Sequence, residues 1–183
     1  MNTNKKEIIN GLIYEDNFLT DEEEKNLIKF INKQKWSEKL TRRTQHYGFE
    51  YSYDKKNTII KTEDIPQEFK FIVDKLNNKF NKIFDQLIIN EYKPGQGISP
   101  HIDNTELFDD TIVSISLGST YPMIFSLGNN SYLKKLKKKS LVGLTGDARY
   151  KWFHSIPSRK SDDGVDRGIR ISLTFRIMKN NNY

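Results

Sequence analysis

The segment Arg170-Ile171-Ser172-Leu173-Thr174-Phe175-Arg176 constrains the fold more than any other part of this 183-residue chain. Its polar and apolar residues alternate strictly. In a strand, Arg170, Ser172, Thr174 and Arg176 therefore share one face, and Ile171, Leu173 and Phe175 share the other. Such a strand needs an apolar layer on one side and a polar or charged environment on the other. Similar segments precede it: QLIINEY from residue 86, then TIVSISLG, PMIFSLG, SLVGLTG and RYKWFHSI. All are short, rich in β-branched and aromatic residues, and bounded by Gly, Pro, Asn or Asp, as strands are.

The N-terminal third reads differently. Thr20-Asp21-Glu22-Glu23 has capping-box spacing, and Leu27, Ile28, Phe30 and Ile31 follow as an apolar stripe at helical period. A second helix is expected to start at Pro66 and run through Ile83. Residues 37–63 keep no sustained period and read as an ordered flap or a long hairpin. Two helices ahead of about six strands predict an α+β fold, with the helices packed on one face of a β-sandwich or barrel.

Length predicts one domain over 1–183, with helices and a flap in 1–84 and the β core in 85–178. There is no cysteine, which excludes disulfides, a thiolate zinc site and a cysteine nucleophile. The first residues lack the apolar run of a secretory signal, and nothing approaches the roughly 20 apolar residues of a membrane span. The expectation is a cytoplasmic protein, with a nuclear location also open, monomeric and with no membrane partner. The formal charge of +6 suits a polyanionic partner such as nucleic acid, or equally a solvated basic surface. The lysine-rich stretch 134–139 reads the same two ways.

Three histidines are present: His46, His101 and His154. His101-Ile102-Asp103 puts an imidazole and a carboxylate on the same side of an extended segment. His154 follows after enough chain for two or three strands and a return. Two histidines and one carboxylate on one face, with other positions open, suit the iron(II) of a non-haem oxygenase. Zinc, or plain loop residues, would fit the same three positions taken alone.

The alternating strand favours iron. A guanidinium binds a carboxylate through two parallel hydrogen bonds, so Arg170 and Arg176 suit a dicarboxylate co-substrate. Their Cα atoms are roughly 20 Å apart along a strand, which assigns them to different ends of the site. Asn90 and Tyr92 share a face and lead into the turn Lys93-Pro94-Gly95-Gln96-Gly97, directly before His101. A cupin-like zinc hydrolase would leave both arginines without a role.

The segments NEYKPGQGISPHID, FHSIP and RISLTFR, in that order and spacing, resemble the AlkB family of iron(II)- and 2-oxoglutarate-dependent dioxygenases. RRTQHYGFEYSYD and LTGDARYKWFHSIPSRK extend the likeness toward the family's tRNA-hydroxylating members. The resemblance implies a double-stranded β-helix (jelly-roll) core and Fe(II) held by His101, Asp103 and His154. It also implies 2-oxoglutarate and O2 as co-substrates. Arg170 would take the distal carboxylate with Tyr92 and Ser172, while Asn90 and Arg176 would lie near the ion.

By the same resemblance, Arg42–Tyr53 is a substrate-covering flap, and Arg42, Arg43, His46, Tyr47 and Arg149 are candidate substrate contacts. The implied partner is nucleic acid, tRNA ahead of DNA, with a tRNA wobble uridine as the expected target. Repair of alkylated DNA or RNA by demethylation, and a non-catalytic nucleic-acid-binding module, are the alternatives. Repair members tend to carry an acid two positions after the iron aspartate, where this chain has Thr105. The tRNA-hydroxylating members also carry RNA-recognition and methyltransferase domains, so a separate partner of either kind is expected here.

Overall fold

The computed structural model describes residues 9–52 and 58–179. In chain order the elements are β1 (Leu12–Glu15), α1 (Asp21–Ile31), β2 (Thr44–Tyr47), β3 (Phe49–Ser52) and β4 (Thr58–Lys61). A 3-10 turn (Gln67–Phe69) then runs into α2 (Lys70–Phe80), followed by β5 (Gln86–Tyr92), β6 (Ile98–His101), β7 (Ile112–Gly118) and β8 (Tyr121–Leu127). The rest comprises β9 (Asn130–Leu136), β10 (Leu141–Leu144), α3 (Gly146–Tyr150), β11 (Phe153–Ile156), β12 (Ser161–Asp162), β13 (Val165–Asp166) and β14 (Arg170–Arg176).

Two antiparallel sheets carry the fold. The larger has the order β1-β10-β7-β14-β5-β2, and the smaller β6-β11-β8-β9. This is the jelly-roll arrangement expected from the sequence, with mixed α+β content. Both edge strands of the larger sheet come from the N-terminal third, so the β core is not confined to residues 85–178.

Period-two alternation gives the larger sheet two different faces. Leu87, Ile89, Val113, Ile115, Leu117, Ile171, Leu173 and Phe175 point to one side and pack against Leu27 and Ile31 of α1 and Ile72 and Leu76 of α2. A second apolar cluster, including Tyr121, Met123, Phe125, Val142 and Ile156, fills the space between the two sheets. The helices therefore stiffen the back of the sheet whose front lines the site.

Helix α1 begins as its sequence predicts. Thr20 Oγ1 accepts from the Glu23 N–H, and Glu23 Oε2 accepts from the Thr20 N–H, a cap worth about 1 kcal/mol. Glu24 then accepts from the Gly118 N–H at 2.8 Å and ties the helix to the end of β7. Gly118 has φ +80°, and a Cβ there would lie 2.5 Å from the Ile169 carbonyl oxygen. Glycine thus lets β14 begin beside it.

Helix α2 is shorter than its apolar pattern suggests. The chain enters through the 3-10 turn after Pro66 and leaves at Asn81, whose left-handed φ of 51° ends the helix. Ile83 lies beyond and is 77% exposed. The expected flap resolves into β2, which joins the larger sheet beside β5, and the β3–β4 hairpin. Tyr53, at the flap's expected end, lies outside the described residues.

Candidate active site

Between the sheets lies a cavity of about 410 Å³. The front faces of the strands supply its polar wall: Gln86 and Asn90 from β5, Ser114 from β7, and Arg170, Ser172, Thr174 and Arg176 from β14. His101 on β6 and His154 on β11 are direct cross-strand partners, with ring centroids 4.3 Å apart. Asp103 follows β6 and turns inward, 7% exposed. Its Oδ1 lies 3.3 Å from His101 Nε2 and 3.5 Å from His154 Nε2. One potential ligand atom from each residue falls within a 4.8 Å group.

The donor set fits a divalent ion. His101 Nδ1 is 2.8 Å from the Ser99 carbonyl, so the ring proton sits there and Nε2 keeps its lone pair for the ion. Burial would raise the pKa of Asp103. The Arg176 charge and the bonds from His101 and His154 outweigh burial and hold the carboxyl well below its ordinary range. Arg176 Nε donates to Asp103 Oδ2 at 2.7 Å, leaving Oδ1 toward the histidines.

At the other end of β14, Arg170 is 1% exposed. It donates from Nε and Nη2 to Ser116 Oγ, and its guanidinium lies 5.3 Å from the Tyr92 ring centroid. Nη1 is buried and unpartnered, and no carboxylate pairs with Arg170 among the described residues. A buried cation without a counter-ion is costly. A ligand carboxylate would complete it. Ser172 opposes Asn90 and Ser116 across β14 and bonds Ser114 Oγ at 2.8 Å.

The expected substrate contacts divide. Arg42 and His46 line the cavity. Arg42 Nε donates to Asn90 Oδ1 at 3.0 Å, and His46 Nε2 lies 3.0 Å from Thr44 Oγ1 while its Nδ1 is buried without a partner. Burial lowers the His46 pKa. Arg43 faces the other way, with both guanidinium bonds on Glu91 at 2.8 Å and its charge over the Trp36 ring. Tyr47 is buried in the helix-facing core with its hydroxyl on Gln45. Arg149 is 2% exposed and donates only to backbone carbonyls of residues 103–109. These three are placed outside the cavity because alternation or a buried partner turns them away. Gln86, Ser114 and Ser116 were not singled out from the sequence, although the alternation in QLIINEY and TIVSISLG carries the signal.

A buried arginine without a counter-ion and a His/Asp/His cluster that could hold a metal, at opposite ends of a jelly-roll cavity, fit a non-haem iron dioxygenase. The model of the 2OG-Fe(II) oxygenase superfamily matches residues 3–176. The chain belongs to that superfamily, among its AlkB-type members, and is an oxygenase that uses Fe(II), 2-oxoglutarate and O2. It is 36% identical to uncharacterized protein L905 of Acanthamoeba polyphaga mimivirus, over 92% of this chain and 85% of that one. It is 33% identical to the alkylated DNA repair protein ALKBH8 homolog of Arabidopsis thaliana, over 94% of this chain and 59% of that one.

A further relative is the Mus musculus tRNA (carboxymethyluridine(34)-5-O)-methyltransferase ALKBH8, 33% identical over 92% of this chain but only 30% of that protein. The structure of OsALKBH1 shares the fold, with a TM-score of 0.74 at 18% identity, covering 91% of this chain and 96% of that one. No helix among the described residues is long and apolar enough to cross a membrane.

Proposed function

We propose that this oxygenase hydroxylates a modified base in nucleic acid, with a tRNA wobble-uridine modification as its target. The observation that carries the choice of target is the 33% identity, over 92% of this chain, to a protein whose name places its action on uridine 34 of tRNA. Methyl transfer is the activity in that much longer protein's name and is not carried over. Substrates of other AlkB-type relatives include DNA, so the class of target is nucleic acid and tRNA is the finer proposal.

In this reading His101, Asp103 and His154 hold Fe(II), which when bound supplies the site where O2 is activated. Arg170 fixes the distal carboxylate of 2-oxoglutarate, with Tyr92 and Ser172 beside it and Ser116 holding the guanidinium. Asn90 and Arg176 serve the ion end. The overall step converts substrate C–H, O2 and 2-oxoglutarate into C–OH, succinate and CO2. Arg42 and His46, from the flap segment, line the cavity and contact the incoming nucleotide, Arg42 through charge and His46 through its ring.

Where the hydroxylated carbon bears a nitrogen, the product collapses to formaldehyde and the reaction is a demethylation. Elsewhere it leaves a stable alcohol. Thr105 offers no acidic side chain to a damaged base, and its carbonyl is taken by Lys179 Nζ at 2.8 Å. This favours the stable alcohol. Incubation with Fe(II), ascorbate, 2-oxoglutarate and bulk tRNA, followed by mass spectrometry of the nucleosides, should show a uridine derivative that gains one oxygen. Release of formaldehyde from methylated oligonucleotides without that product would replace this reading with repair, and turnover on a protein alone would sink both.

A further inference from the structure

The loop between β6 and β7 carries the aspartate of the metal triad, yet between residues 102 and 111 it contains no strand or helix, only the single bridge from Phe108 to Met178. Such a loop holds a ligand poorly unless its backbone is tied down. Within the loop Asn104 accepts from the Glu106 and Leu107 N–H groups, and from outside it the ties to its backbone come from two places. The extension of β14 supplies Ile177 O to the Asp109 N–H and the Lys179 N–H to Leu107 O. Arg149, from α3, supplies the rest.

Arg149 enters the loop from inside and is almost wholly buried. Nη1 donates to the Asp103 carbonyl at 2.8 Å, and Nη2 to the Asn104 and Phe108 carbonyls at 3.2 and 3.1 Å. Nε donates to the Asp109 carbonyl at 3.1 Å. One planar fork thus collects four carbonyls from both arms of the loop, a pattern that lysine's single ammonium cannot reproduce. No acidic side chain forms an ion pair with Arg149 among the described residues. The same short helix leads directly into β11, where His154 sits.

We infer that Arg149 is a positioning residue for the iron centre: it locks the Asp103 backbone to the segment that presents His154, and so fixes the distance across the triad. The inference rests on the reading that His101, Asp103 and His154 hold the ion. It differs from a substrate contact, because every nitrogen of the guanidinium is turned to the loop. It differs from general core packing, because the bonded carbonyls start at the ligand residue itself.

The test titrates metal-free protein with Co(II), following the visible absorbance of the bound ion, and measures the melting temperature of each metal-free variant alongside. Arg149→Met should weaken Co(II) binding about 10- to 100-fold, as loss of a ligand-orienting partner does. Arg149→Lys, which keeps the charge and one or two bonds, should recover part of the affinity and decides the matter where Arg149→Met does not fold.

Leu76→Ala, in α2 behind the larger sheet, serves as the control for destabilisation alone. It should lower the melting temperature and leave Co(II) affinity unchanged. Unaltered Co(II) affinity in Arg149→Lys and Arg149→Met would overturn the inference, as would an equal loss in Leu76→Ala at matched melting temperature. Failure of the unaltered protein to bind Co(II) would instead overturn the triad itself, so the two failures are distinct.

Discussion

Arg170 and Arg176 stand at opposite ends of one strand, on one face, and do opposite things. Arg176 is paired: its Nε reaches Asp103 at 2.7 Å and its Nη1 reaches Gln86 at 3.3 Å. Among the described residues Arg170 has only a serine hydroxyl and a tyrosine ring as partners, and one of its nitrogens is buried with nothing to bond. Burial pulls its pKa down, yet the group stays charged because guanidinium pKa values are so high. Charge satisfied within the chain acts as a brace. Charge left unsatisfied in the interior is costly, and under the proposed function the co-substrate carboxylate would remove that cost.

The largest effect should come from removing the unsatisfied charge. Arg170→Met should weaken 2-oxoglutarate binding by about 3 kcal/mol, roughly 100-fold, as loss of one partner of a buried charge pair does. The same change should raise the melting temperature of the co-substrate-free protein by about 3 °C, since a desolvated cation is gone. Calorimetric titration and thermal melts read the two. A drop in stability with unchanged 2-oxoglutarate affinity would make Arg170 a brace like its neighbour.

Arg176→Met should do the reverse. Asp103 loses its partner, ion affinity falls about 10- to 100-fold, and 2-oxoglutarate binding at saturating ion changes less than in Arg170→Met. Ion titrations and 2-oxoglutarate titrations on the two variants together either separate the two ends of β14 or merge them.

The two-faced strands were legible because alternation depends only on sequence order. QLIINEY and RISLTFR reappear as β5 and β14 at the same residues, and Gln86, Asn90, Tyr92, Arg170, Ser172, Thr174 and Arg176 line the cavity, whereas Glu91 faces the other way. Less legible was β9, whose lysines mask a strand. It is the edge of the smaller sheet, where lysine is a usual residue. Its charges, and those just after it, are answered by Asp163, Asp16, Asp21 and the Tyr14 ring. Those partners are remote in sequence, so the run looks free when read alone. RYKWFHSI read as one strand, but Gly146, at φ +49°, starts a turn of helix and only Phe153–Ile156 is extended. Arg43 and Arg149, expected as substrate contacts, lie outside the cavity lining, and that placement was hidden for the same reason as the lysine pairings. Their partners, Glu91 and four carbonyls, are fixed by the tertiary fold.

The pH dependence of this site can be followed at His101. Burial would lower the His101 pKa, but Asp103 and the Ser99 carbonyl outweigh it and the value is raised above 6.5. In metal-free protein His101 therefore adds stability that is complete below its unfolded pKa and is lost as pH rises through the folded value. Ion binding requires the proton to leave and runs the other way. The gap in melting temperature between ion-bound and metal-free protein should widen from pH 6 toward pH 8, with affinity changing about tenfold per pH unit below the imidazole pKa. A gap that narrows over that range would mean that His101 is not a ligand.

The smallest and most local contrast is between the adjacent residues Arg42 and Arg43, which repeat the comparison one strand away. Arg42 lines the cavity, bonded to the Asn90 amide and 5.7 Å from the Tyr92 ring centroid, whereas Arg43 is spent on Glu91, which is 3% exposed. Arg42→Ala should raise the KM for nucleic acid about fivefold, the effect of about 1 kcal/mol for a lost phosphate or base contact, with little change in stability. Arg43→Ala strands a buried carboxylate and should cost about 2 kcal/mol of folding free energy, while the KM below the melting range stays the same. Steady-state kinetics and denaturant unfolding on the two variants give a two-by-two outcome. If Arg43→Ala raises the KM as much as Arg42→Ala does, the flap acts as one unit and the distinction between satisfied and unsatisfied charge ends at β14.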